Sequence, residues 1–429
     1  MKILIENISQ LLTMDPSFHS SDNTDSELGI IENAALYIED DLVHWLGSSN
    51  QIPETVHRDS SVFRVDAGMS VVMPGIIDSH THLIFAGSRE REFSARLRGD
   101  RYEDILAAGG GIHSTVRATR AAAPFQLLES GKKRLDFCLD HGVTTVEVKS
   151  GYGLETSTEI KMLEVARLLD KKHPVDIIST FLGAHVVPEE FKSDREGYIS
   201  LMKAEMFPEI KERGLADFCD VFIEEGAFTV DEARKIITAG IENGLKPRLH
   251  VDQFNDTGGI ECAVEFGAAS VDHLEAVTAD GIKMLADSGI PAVLLPGATF
   301  FLGLPGYAPA RELILNGVTT ALATDFNPGS CMTAMPFIIM TIASVQMKMM
   351  PAEVLTAFTV NAAQALGKND RGVLGRGKRA DVIILNVENY EMIPYFFAVN
   401  HVAWVIKNGL VVKGPGDYGA AERDLNEKV

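Results

Sequence analysis

The sequence predicts an α/β protein, a TIM-like (β/α)8 barrel joined to a small β-sandwich domain built from both termini. Three observations predict it. Both ends of the 429-residue chain carry short β-like runs, and the middle alternates apolar runs with helical patterning. Eight such runs can be counted in the middle, the number that a closed barrel requires. No G-x-G-x-x-G opens a helix after a first strand, so a doubly wound open sheet lacks its fingerprint.

In chain order, residues 1–66 form the first part of the β domain, with strands expected at Lys2–Ile8, Ala34–Ile38, Val43–Leu46 and Val62–Val65. The polar stretch Asp15–Leu28, rich in Ser and Asp, interrupts them as an irregular loop. Residues 67–370 hold the barrel runs Val71–Leu83, Val143–Val148, Val175–Leu182, Phe218–Ile223, Leu245–Val251, Ala268–Asp272, Ile290–Leu295 and Val318–Thr324. Between them, Ser157–Leu169, Asp231–Asn243 and Gly259–Phe266 space their apolar residues as helices do. Residues 371–429 return to β, in Val382–Leu385, Val402–Lys407 and Leu410–Val412.

Composition narrows the function classes. Hydrophobic residues make up 46% and charged residues 23%, ordinary globular usage with ample material for a core. The formal net charge of −21 argues against a nucleic-acid partner and leaves any anionic substrate to specific, local cations. Cys138, Cys219, Cys262 and Cys331 form no C-x-x-C pair and read as reduced, buried thiols of a cytoplasmic protein. The start, with Glu6 early and no apolar region before a cleavage site, reads as no secretory leader. Gly329–Met347 is uncharged and long enough to span a bilayer, but Ser330, Thr333, Pro336, Thr341, Ser344 and Gln346 interrupt it. A barrel helix explains it better, so no membrane contact is expected.

The chemistry gathers at the ends of the barrel runs. Pro74-Gly75-Ile76-Ile77-Asp78-Ser79-His80-Thr81-His82 closes the first. Alternation along a strand puts His80 and His82 on one face, about 6–7 Å apart along the backbone, where both can reach one cation. A bare H-x-H is more often two hydrogen-bonded loop histidines. Here His250 ends the fifth run, His273 the sixth and Asp325 the eighth, and that set is hard to produce by chance.

This arrangement resembles the amidohydrolase superfamily. Longer runs are similar to the imidazolonepropionase family: Ser79–Arg89 (SHTHLIFAGSR), Ala108–Arg120 (AGGGIHSTVRATR), Glu147–Leu154 (EVKSGYGL), Phe181–His185 (FLGAH) and Thr324–Ser330 (TDFNPGS). Gly372–Asp381 (GVLGRGKRAD) looks like the superfamily's return from barrel to β domain. Binuclear members place a bridging lysine on strand four. The fourth run here has none, which implies one divalent or trivalent ion per subunit, zinc or iron, held by His80, His82, His250 and Asp325.

The resemblance implies hydrolysis of 4-imidazolone-5-propanoate to N-formimino-L-glutamate, a step of histidine degradation. Asp325 would take a proton from water and pass it to the ring nitrogen, and His273 would orient the water or stabilise the oxyanion. A purely structural role for His273 is the competing reading. Arg89 would hold the propanoate, and Tyr102, Tyr152, His185, Asn327, Gly329 and Ser330 would complete the pocket, His185 facing the ring oxygen. Family members often carry Thr where Ser330 stands; the hydroxyl is kept. Gln253 replaces the proton-shuttling Glu of related deaminases and would hydrogen-bond the ring, which weakens a deaminase reading. The alternatives are another cyclic-amide hydrolase or aminohydrolase of the superfamily and, more remotely, a non-catalytic assembly protein, although such relatives typically lose ligands. A homodimer is the base-rate expectation. The triplet Gly109–Gly111 lacks the Lys-Ser/Thr of a phosphate loop, and His19, His44, His57, His113, His141, His173 and His401 show no grouping.

Overall fold

The computed structural model describes residues 1–18, 26–100 and 109–415. Its strands fall into two sheets. The first is built by β1 (Lys2–Leu12), β2 (Ile30–Glu39), β3 (Leu42–Ser48) and β4 (Phe63–Pro74), together with β13 (Val382–Leu385), β14 (Val402–Lys407) and β15 (Leu410–Lys413). Their order is β15-β14-β13-β4-β1-β2-β3, so β4 and β13 join the two ends of the chain. Only β1 and β4 run parallel; the other pairs are antiparallel. Side chains alternate between its faces: Ile3, Ile5, Leu36 and Ile38 pack with Val382 and Ile384, while Leu4 and Tyr37 pack with Val56 and Val62.

The second sheet is the barrel. Its parallel strands are β5 (Ile76–Asp78), β6 (Val143–Lys149), β7 (Asp176–Ala184), β8 (Phe218–Ile223), β9 (Lys246–Val251), β10 (Val271–His273), β11 (Ala292–Leu294) and β12 (Thr320–Leu322). Every one lies within a run expected from sequence or overlaps it. Closure between first and last strands comes just beyond their ends: Asp325 N–H donates to His80 O at 3.1 Å and His82 N–H to Phe326 O at 2.9 Å. Asp78 reinforces the seam by accepting from Thr324 N at 3.0 Å and Thr324 Oγ1 at 2.6 Å. The barrel therefore shuts at the level of its candidate ligands.

The run Val71–Leu83 divides at Gly75. Pro74 still pairs with Val382 in the first sheet, and Ile76 already pairs with Val143 in the barrel. A Cβ at Gly75 would lie 2.3 Å from the Thr144 side chain, so only glycine lets the chain cross between layers here. We accordingly propose placing the passage into the barrel at Gly75 rather than at residue 67.

Helices cover the barrel's outer face. Thr156–Lys172 buries Leu163, Val165, Ala166 and Leu169, and Val230–Glu242 begins with a capping box in which Thr229 Oγ1 accepts from Glu232 N–H and the Glu232 carboxylate from Thr229 N–H. Gly259–Phe266 matches its expected bounds. The uncharged stretch becomes the 12-residue helix Pro336–Met347, and no helix of the described residues is long and apolar enough to cross a membrane. Inside the barrel Ile77, Ile178, Phe218, Val293 and Ala321 form an apolar layer, and toward the carboxyl ends of the strands it gives way to charge. Along β6, Val146 and Val148 join the apolar core outside, while Glu147 and Lys149, at 0% exposure, meet each other and Asp220 of β8 within.

Candidate metal centre and substrate pocket

The carboxyl ends of β9 and β10, with the loops leaving β5 and β12, bring His80, His82, His250, His273 and Asp325 together, none more than 3% exposed. The rings of His80 and His250 lie 4.6 Å apart, His80 and His82 5.4 Å, and His250 and His273 5.3 Å. Asp325 Oδ1 stands 3.5 Å from His80 Nε2 and 3.6 Å from His82 Nε2. Ligand atoms of His80, His82 and Asp325 lie within 4.8 Å of one another, and so do those of His80, His250 and His273. Backbone strain marks the same places: φ is positive at Asp252 (53°), His273 (88°), Leu274 (72°) and Asp325 (51°). Non-glycine residues hold such angles at a cost of about 1–3 kcal/mol each, here offset by the packing around them.

These groups suit a cation. His80 Nε2 and His250 Nε2 are buried with no hydrogen-bond partner among the described residues, a costly condition for two imidazoles unless a ligand completes them. Their other nitrogens fix the tautomer. His80 Nδ1 lies 2.8 Å from Asp272 Oδ2, and His250 Nδ1 lies 3.0 Å from Asp220 Oδ2. A carboxylate there keeps the proton on Nδ1 and leaves the Nε2 lone pair for a metal. Burial holds His80 and His82 well below the usual imidazole range, so both are neutral and able to ligate. Burial also pushes Asp325 up to about 6. Burial opposes charge on His273 as well, yet the carboxylates of Glu275 and Asp325 outweigh it and raise its pKa.

On one side of this cluster lies a pocket wall of rings. His185 stacks on His82 at 5.0 Å, and Tyr152 stands 5.7 Å from His82 and 5.6 Å from His185. His185 Nδ1 donates to Gly151 O at 3.1 Å, and burial, with His250 nearby, lowers its pKa to about 3. The neutral ring therefore presents Nε2 as an acceptor. Tyr152 rides on a loop held by one carboxylate, Glu159, which accepts from the backbone N–H of Gly151 (3.1 Å), Gly153 (2.7 Å) and Leu154 (2.8 Å).

Arg89 precedes the helix Glu90–Leu97 and turns back toward Gly329. Glu92 grips Arg89 from behind, Nε at 2.9 Å and Nη2 at 2.5 Å, and itself accepts from Gly111 N at 2.9 Å. Nη1 is left against Gly329, where a Cβ would come within 2.3 Å of it. The loop after β12 ties itself together: Asn327 Oδ1 accepts from Gly329 N and Ser330 N, both at 2.8 Å. Asn327 Nδ2 donates to Asp325 O and Ser330 Oγ, both at 2.7 Å. Asn327 thus spends its polar atoms on the loop's shape. Gln253 is half-buried after β9, in a loop that Glu224 holds by accepting from Phe254 N at 2.9 Å and Asn255 Nδ2 at 2.9 Å. Tyr102 lies outside the described residues. Glu92, Glu159 and Glu224 escaped the sequence reading, since isolated acids on surface-like stretches carry no spacing signal.

The Amidohydrolase family matches residues 71–412. Imidazolonepropionase of Geobacillus thermodenitrificans is 50% identical over 393 residues, 91% of this chain and 92% of that protein. Imidazolonepropionase of Alkaliphilus metalliredigens is 46% identical over 96% of this chain and 98% of its own. Among solved structures, 5-methylcytosine deaminase of Klebsiella pneumoniae superposes with a TM-score of 0.73, covering 97% of this chain and 98% of its own at 17% identity. Atrazine chlorohydrolase of Arthrobacter aurescens, complexed with zinc, gives 0.68 at 16% identity over 96% and 95%. The two structures establish the fold, and the two sequences the family: this chain belongs to the imidazolonepropionase family of amidohydrolases.

Proposed function

We propose that the chain hydrolyses 4-imidazolone-5-propanoate to N-formimino-L-glutamate, opening a cyclic amide C–N bond in histidine degradation. The observation that carries this reading is a pair of opposite demands near Asp325: buried Nε2 atoms on His80 and His250 that suit a cation, and Arg89 Nη1, lying against Gly329 of the loop after Asp325, that suits a carboxylate.

His80, His82, His250 and Asp325 would hold a single ion, zinc or iron. When bound, such an ion supplies Lewis acidity and lowers the pKa of water toward about 7. Asp325 accepts the water proton on its carboxylate as the C–O bond forms and later gives it to the departing ring nitrogen as the C–N bond breaks. His273, its charge favoured by Glu275, donates toward the oxygen that becomes negative. Arg89 binds the propanoate through Nη1 while Glu92 fixes the guanidinium plane. His185 was expected to serve the ring oxygen. The Gly151 contact points instead to Nε2 accepting a ring N–H. Tyr152, Gln253 and Ser330 line the ring, and Asn327 with Gly329 shapes the turn behind it. The reading includes a cytoplasmic homodimer without nucleic-acid or membrane partners; four buried free thiols accord with a reducing compartment.

Ultraviolet monitoring of imidazolone propanoate tests the proposal. The protein should consume it, a chelator should stop the reaction, and zinc or iron should restore it. A metal-loaded protein that ignores this substrate but turns over a hydantoin, dihydroorotate or cytosine would overturn the assignment.

A further inference from the structure

Below the upper ligands sits a second set of candidate ligand atoms, on Asp220, His250 and Asp272, mutually within 4.8 Å. It is at most 3% exposed, and Asp220 Oδ1 is buried there without a hydrogen-bond partner among the described residues. His250 is taken by the upper ion, but the two carboxylates, with Glu147 beside them, would by themselves take a cation. One is already present. The ammonium of Lys149 reaches in from the end of β6, 2.8 Å from Asp220 Oδ2 and 3.5 Å from Asp272 Oδ2, and also 2.8 Å from Glu147 Oε1. Arg248 closes the other side of Asp272 at 3.1 Å.

The charges around the centre agree with this arrangement. Glu147, Asp220, Asp272 and Asp325 bring four carboxylates into a space where no ion pair reaches solvent. Lys149 and Arg248 answer two of them, and His273 and Glu275 face each other, which leaves a deficit that one divalent ion closes. A second divalent ion beside Lys149 would add two uncompensated positive charges at low dielectric.

We propose that the Lys149 ammonium is a built-in cation occupying the lower ligand set, so that the protein binds one metal ion instead of two. By the same contacts Lys149 is a positioning residue. It holds Asp272 where it accepts Nδ1–H from His80 and Asp220 within 3.0 Å of His250 Nδ1, and those imidazoles then turn Nε2 to the upper ion. The inference rests on the upper set holding a metal.

Zinc content after equilibration and gel filtration tests it without any assay of turnover. Wild type should hold one zinc per chain, Lys149→Ala and Lys149→Gln two, and Lys149→Ala/Asp220→Ala one. Wild type without zinc would overturn the metal-centre reading itself. One zinc in wild type and in both folded single variants would overturn this inference alone. So would failure of both single variants to fold with zinc in the refolding buffer, since the ion is expected to replace the ammonium.

Discussion

A methyl group at position 329 would strike Arg89 Nη1, the flexible tip of a side chain, and not the backbone. Gly329→Ala should therefore fold normally while moving the guanidinium away from the propanoate. Losing one charge-assisted hydrogen bond costs about 1.5–3 kcal/mol, so KM should rise about 10- to 100-fold with kcat little changed. Steady-state kinetics at full metal occupancy would read this; an unchanged KM would place the propanoate elsewhere. Asp325 tests the opposite wall. Asp325→Asn keeps the volume and removes the proton carrier, and kcat should fall by about 10²- to 10⁴-fold. Metal analysis must accompany the measurement, because near-normal turnover with zinc still bound would remove Asp325 from the reaction.

At the scale of elements, the strand ends are legible in sequence and the loops beyond them much less so. Alternation and apolar runs located all eight barrel strands, since parallel strands packed against helices leave a continuous apolar record. The same continuity hid the crossing at Gly75, because Val71–Leu83 stays apolar through both sheets. His80, His82, His250, His273 and Asp325 were readable because each stands at the end of such a run. Lys149, Arg248, Asp220 and Asp272 were not: Lys149 and Asp220 stand 71 residues apart, and only the closed barrel makes them neighbours. The Tyr152 loop depends on a partner of this kind. Glu159→Gln replaces a carboxylate oxygen by a donor facing backbone N–H groups, which should cost about 1–3 kcal/mol of stability. The loop should loosen, raising KM more than it lowers kcat. Denaturant unfolding and kinetics together check this, and a variant with wild-type stability and KM would show that the loop stands without Glu159.

Over the whole molecule, the centre and the fold are one construction, because the ligand loops are also the seam that closes the barrel. An ion bound across that seam should stabilise the native state, by about 4 kcal/mol when its free concentration is a thousand times its dissociation constant. Calorimetry with and without chelator should show a clear fall in Tm on metal removal, and equal values would separate the ion from the fold. Crystals grown with zinc offer the most direct test. Anomalous scattering should reveal one zinc per chain within about 2.0–2.2 Å of His80 Nε2, His82 Nε2, His250 Nε2 and Asp325. Density bound elsewhere, or these four side chains turned apart with no zinc between them, would contradict the account.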